Sequence, residues 1–134
     1  MATKFLAEQV TQQMSRKASE ALVAHRLVEI NAADHEQVDQ ADAANDKCVG
    51  IVGYAAVAGQ EVAVKCGGHL VLEAGGTVAV GDEIVADSVG RGVARGVTAT
   101  TLYNVVGRAL TAAASGEHFM VAWGPYGVWG ANAS

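Results

Sequence analysis

The chain repeats itself, and no other feature of it limits the possible folds as much. Laid over its own sequence at a shift of 57 residues, without a gap, residues 49–72 fall on residues 106–129. Val49 then meets Val106, Gly50 meets Gly107, Ala55 and Ala56 meet Ala112 and Ala113, and Gly59 meets Gly116. Val64 falls on Val121, Gly67 on Gly124 and Val71 on Val128. The same shift carries residues 22–30 onto 79–87, with Val23 on Val80 and Val28 on Val85. Identities among small residues come cheaply in a chain rich in Ala, Val and Gly, so the constant spacing of three blocks is the stronger signal. Both copies run apolar strand, variable segment, Val-Gly, small apolar residues, Gly-polar turn, alternating strand. Two units are too few for a solenoid or a propeller, which leaves two lobes closing on each other.

The local patterns are those of strands. Val62, Val64 and Cys66 alternate with Glu61, Ala63 and Lys65, the two-residue period of a half-buried strand. Phe119, Val121 and Trp123 put bulky side chains at the equivalent places of the second copy. Gly67-Gly68 and Gly75-Gly76 bracket a short strand, Gly81-Asp82 leads into another, and Gly90-Arg91-Gly92 makes a turn. Short strands with turns between them predict an all-β fold: a small, internally duplicated β-barrel or β-sandwich. The expected organisation is an N-terminal arm or short helix over residues 1–20, then a duplicated body over 21–134 with repeat units of about 22–72 and 79–129. Phe5, Leu6, Val10 and Met14 lie near helical spacing, yet the apolar face is thin and uncapped, so helix and extended arm both stand. The arm has no copy in the body and is expected to project from it. Residues 99–103 read either as strand or as a single helical turn.

Composition narrows the class of function. Hydrophobic residues make up 51% and charged ones 17%, with 16 Gly and 1 Pro, so side chains are small and turns tight. Such a surface retains apolar area that favours an oligomer or a docking partner. The net charge of −5 argues against a nucleic-acid partner, which requires a basic surface. Six acids between Glu29 and Asp46, with no Lys or Arg among them, read as a solvated edge in preference to a cation site. No apolar run reaches the roughly 18 residues of a membrane span, and the N-terminus lacks the apolar core of a secretion signal. Cys48 and Cys66 are therefore expected to be reduced thiols packed as small hydrophobes.

No chemical centre emerges. His25, His35, His69 and His118 are dispersed and lack metal-ligand spacing. On the gap-free overlay His25 falls on Asp82 and His69 on Tyr126, so the repeat does not preserve them. Gly90, Gly92 and Gly96 lack both dinucleotide spacing and a P-loop Lys. Asp82 and Glu83, adjacent on a strand, point to opposite faces and cannot converge on a substrate. The expectation is no enzyme, no catalytic residue, no metal and no cofactor. Trp123, Pro125, Tyr126 and Trp129 are the candidates for an oligomer or partner interface, because rigid aromatic knobs make interface anchors. The competing reading is a terminal strand plugging the core; both hold if one Trp points in and the other out.

The stretch AGGTVAVGDEIVADSVGRGVAR, followed by VVGRALTAAASGEHFMVAW, resembles the capsid cement, or decoration, proteins of bacteriophages (the DUF2190-like group). Gly81, Asp82, Val106, Gly107, Ala109, Leu110, Gly116, Glu117 and Val121 fill that pattern, and the opening ATKFLAE is similar to the group's start. His25-Arg26 departs from it, standing where Gly-Asp is expected. The resemblance implies a structural protein made in the host cytoplasm and carried on the outer capsid surface of the virion. It implies a homotrimer whose partner is the major capsid protein, seated over subunit junctions. On that expectation Phe5, Leu6 and Val10 anchor the arm while Lys4, Arg16 and Lys17 meet an acidic shell. The alternative is a virion-associated carbohydrate- or receptor-binding β protein, with Tyr54, Trp123, Tyr126 and Trp129 stacking on sugars.

Overall fold

The computed structural model describes residues 6–96 and 102–130, with backbone only at 102 and 125–130. Nine strands and no helix appear among them: β1 (Gln9–Ala18), β2 (Arg26–Ile30), β3 (Gln37–Gln40), β4 (Cys48–Val52), β5 (Glu61–Glu73), β6 (Glu83–Ala86), β7 (Gly92–Ala94), β8 (Leu102–Ala109) and β9 (His118–Gly130). They hydrogen-bond in the order β1-β3-β2-β4-β5-β9-β8-β6-β7, and β1 pairs back onto β5. That extra pairing closes β1, β3, β2, β4 and the first half of β5 into a five-stranded ring. The second half of β5, with β9, β8, β6 and β7, makes another, closed by a parallel bridge between Ala74 and Gly92. It mirrors the parallel pairing of Ala18 with Val38 in the first ring. β5 belongs to both barrels.

The cores repeat with the frame. Ala18, Leu22, Val28, Val52, Ala56, Val62 and Val64 fill the first barrel, and Ala74, Val78, Ile84, Ala109, Ala113, Phe119 and Val121 fill the second. Leu27, Ile51, Leu70 and Leu72 join the second cluster and seal the seam between barrels. The offset is not constant along the chain, as the gap-free overlay had it. The first three of these pairs are 56 residues apart and the last four 57. Hydrogen bonds decide the matter: Leu22 exchanges both backbone bonds with Ala56, and Val78 does so with Ala113. His25 therefore corresponds to Gly81 and not to Asp82; their amides donate at 2.8 Å to the equivalent carbonyls of Val52 and Ala109. The repeated Val-Gly also gains a reason. A Cβ at Gly50 would sit 2.5 Å from the Lys65 carbonyl oxygen, and one at Gly107 would collide with that of Ala122.

The N-terminal segment is strand, not helix. β1 lies antiparallel along β5 from Gln9 opposite His69 to Lys17 opposite Glu61, and Ala18 is buried. It does not stand off a body that lacks a copy of it: it occupies in the first barrel the place that the second half of β5 occupies in the second. Good helix formers are overruled because only an extended chain can satisfy the edge of β5 while sending Met14 and Ala18 inward. Gly67-Gly68 likewise does not end a strand. β5 runs through it, with Gly68 at a φ of 101° where a side chain would strike the Gln9 backbone.

Four equivalent corners feed strands β2, β5, β6 and β9. Three turn through a glycine of positive φ, Gly59, Gly81 and Gly116. The following Gln60, Asp82 and Glu117 each accept, through a side-chain oxygen, the amide of Val57, Ala79 and Ala114 at 3.2, 2.9 and 2.8 Å. The first corner differs, with His25 at a φ of 62° and Arg26 after it.

Candidate functional site

Charge is distributed unevenly over the two barrels. Arg26 pairs with Glu73 at 3.1 Å, Lys65 with Glu8 at 2.6 Å, Arg91 with Asp87 at 2.9 Å and Arg95 with Glu83 at 2.8 Å; Arg108 reaches Glu83 at 3.6 Å. Among the described residues Arg16, Lys17 and Lys47 make no such pair. Arg16 and Lys17 end β1 beside an open cleft of about 280 Å³, which Ser15, His35, Glu36 and Glu61 complete. Arg16 donates through Nη1 to the Ser15 carbonyl at 2.8 Å, while its Nε is buried without a partner.

Of the other residues proposed to dock, Leu6 and Val10 are described. Lys4 and Phe5 lie outside the described residues. Leu6 is half-buried, and Glu8 ties the segment down by bonding Lys65 and accepting the Val71 amide at 3.0 Å. Val10 is 39% exposed, but seven residues of strand put it roughly 23 Å from Lys17. Arg16 and Lys17, neighbours in sequence, both line the cleft, the first half-buried and the second exposed, and Val10 lies apart from them. Trp123 packs against the larger core. The side chains of Pro125, Tyr126 and Trp129 lie outside the described residues.

The convergence of one grouping, and the whole of a second, escaped sequence reasoning. Glu29, Asp42 and Asp46 converge, with carboxylate oxygens within 4.8 Å of one another. Asp46 accepts the amides of Asp42 and Ala43, and burial, then its hydrogen bond to Asp46 and the charges of Asp46, Asp42 and Asp39, raise Glu29 to about 7. This trio is what the described residues offer a cation; in the chain itself it staples residues 42–46 to β2. The second grouping is a ring contact: His25 and His118, 93 residues apart, have centroids 4.6 Å apart and planes tilted by 57°. The signal for it was a histidine standing at a glycine position, which the one-residue slip in the overlay hid.

Reactive groups are scarce. Cys48 and Cys66 are free and partly buried. Burial, then the charges of Asp46 and Glu29, raises the Cys48 thiol to about 12, far from a usable thiolate. No fully buried polar or charged residue occurs among the described residues. Exposed apolar side chains are more plentiful. Val23, Val57 and Val80 stand on the corners, with Tyr54 and Leu110 beside them.

Such a molecule is a twin β-barrel whose described core is apolar. The profile of the phage cement proteins matches residues 7–123, across both barrels, and the chain belongs to that family. Its role is accordingly a structural one, associated with the phage capsid. The fold is also similar to the crystal structure of the N-terminal base of the head fiber protein gp8.5 of bacteriophage phi29. That likeness has a TM-score of 0.63 at 18% identity and covers 84% of this chain and 93% of the other. No curated protein matches the chain by sequence.

Proposed function

We propose that this protein binds the outer surface of an assembled phage head and stabilises it by bridging major capsid protein subunits. The match to the phage cement family over residues 7–123 carries this reading. A cement protein adds contacts that exist only on the closed lattice, so its binding energy favours the assembled state over free subunits. As a homotrimer it would engage three neighbouring subunits together and gain avidity without a new kind of contact. Synthesis in the host cytoplasm, with thiols left unpaired, belongs to the same reading, as does the absence of any catalytic task.

The residues proposed to dock are Lys4, Phe5, Leu6, Val10, Arg16 and Lys17. The two cations at the end of β1 support this choice, since five of the eight described Lys and Arg residues are already neutralised within the chain. Deleting residues 1–20 is a poor test, because it would remove β1 and open the first barrel. The test is a full-length Arg16→Glu/Lys17→Glu variant mixed with purified expanded shells and viewed by cryo-electron microscopy. Wild-type protein should decorate at a saturable, symmetry-limited stoichiometry, and the variant should lose most of its occupancy. Full occupancy by a folded variant would remove β1 from the docking surface. Glycan binding by the free protein, with bare shells, would replace cement by the carbohydrate-binding alternative.

A further inference from the structure

We propose that the His25–His118 contact is an acid-sensitive latch, holding the first corner against the second barrel at neutral pH and releasing it under acid. The first observation is conformational. His25 is the one non-glycine residue with positive φ among those described, at a position the other three corners give to glycine. That geometry costs a side chain about 1–2 kcal/mol, so an ordinary turn here would use glycine. The second is location. The His25 carbonyl accepts the Glu73 amide at 2.8 Å, and Glu73 lies opposite His118 in the β5–β9 ladder. The contact therefore spans the seam, from the first barrel's corner to the first residue of the second barrel's last strand.

The surroundings leave the His25 imidazole without a partner that would hold it charged. From β2 and β5, Arg26 and Glu73 neutralise each other, and so do Lys65 of β5 and Glu8 of the N-terminal segment. The Nδ1 of His25 is buried without a hydrogen bond, so no acceptor stands ready to stabilise a proton there. Burial, then the His118 ring, then Lys65 push His25 below its ordinary value, while Glu8 and Glu73 pull the other way. The folded state thus binds fewer protons at this site than the unfolded chain. Its contribution to stability is complete above the ordinary imidazole range and is lost as pH falls through that range toward the folded value. Two rings at 4.6 Å cannot both be charged without repelling across the seam. The latch does not depend on the capsid role.

The test follows the His25 imidazole resonances of the full-length protein by NMR through acid titration, beside unfolding measured at about pH 7.5 and about pH 5.5. His118→Gln should move the His25 midpoint upward. His25→Gly, which copies the other corners, should reduce the acid loss in the folded-to-unfolded ratio by about threefold or more relative to wild type. Amides at the first corner and at the start of β9 should exchange faster in acid in the wild type than in either variant. An unchanged His25 midpoint in His118→Gln, or the full wild-type acid loss in His25→Gly, would overturn the proposal. If His118→Gln fails to fold, His25→Gly decides alone.

Discussion

The two barrels share a frame and fill it differently. The first presents Val62 to its core and Val38 from the neighbouring strand; the second presents Phe119 and, in place of Val38, Gly92. A Cβ on Gly92 would come within 3.0 Å of the Phe119 ring and of Ile84 Cγ2, and would collide with Leu72. The ring occupies volume that the adjacent strand vacated. What the barrels have in common is the hydrogen bonding of their corners and closing bridges; what they trade is side-chain volume, because a close-packed interior fixes the sum and not its division. Their surfaces differ as well. In the second barrel every described cation finds a carboxylate, whereas the first leaves Arg16, Lys17 and Lys47 without one.

The volume exchange can be broken at its larger end first. Phe119→Ala should cost about 3–5 kcal/mol in urea unfolding. Val62→Ala, at the same place in the first barrel, should cost clearly less, and equal losses would show that the two cores are not filled in the way described. Gly92→Val should cost about 1–3 kcal/mol by overpacking. The double variant Gly92→Val/Phe119→Val copies the first barrel, so it should be more stable than the sum of the two single changes by about 1 kcal/mol or more. Strict additivity would mean that Gly92 and Phe119 do not share their space.

The smallest effect concerns the acidic trio, which the second barrel lacks among its described residues. Glu29 is raised from an ordinary 4.5 to about 7, so the folded state holds a proton there that the unfolded chain has released. That contribution is complete below the ordinary value and lost as pH rises through the folded one, opposite in sign to His25. Glu29→Gln keeps a neutral side chain throughout. It should leave thermal stability near pH 5 little changed and raise it above pH 7, by less than about 1 kcal/mol because Glu29 is part-exposed. A variant less stable than wild type in alkaline solution would show that the carboxylate is wanted charged.

Much of the fold was legible from local chemistry. Alternation at 62–66 and 119–123 marked β5 and β9, and Gly59-Gln60, Gly81-Asp82 and Gly116-Glu117 marked three corners. Steric freedom at the glycine and the polar side chain after it act within a few residues, so sequence alone was sufficient. The candidate site was less legible. Arg16 and Lys17 could be named, but their lack of partners depends on which carboxylates the fold brings near. The first corner hid because His25 replaced its glycine.

The sequence by itself determined that the chain is all β, since two-residue periodicity and glycine turns require no distant partner. The tertiary structure alone decided that β1 is the first barrel's closing strand and not a separate arm. It also set the one-residue slip between the copies, the exchange of Val38 for the Phe119 ring and the meeting of His25 with His118. Each of these is settled by pairing or packing between residues far apart in the chain, where register follows hydrogen bonds and available volume and not local preference.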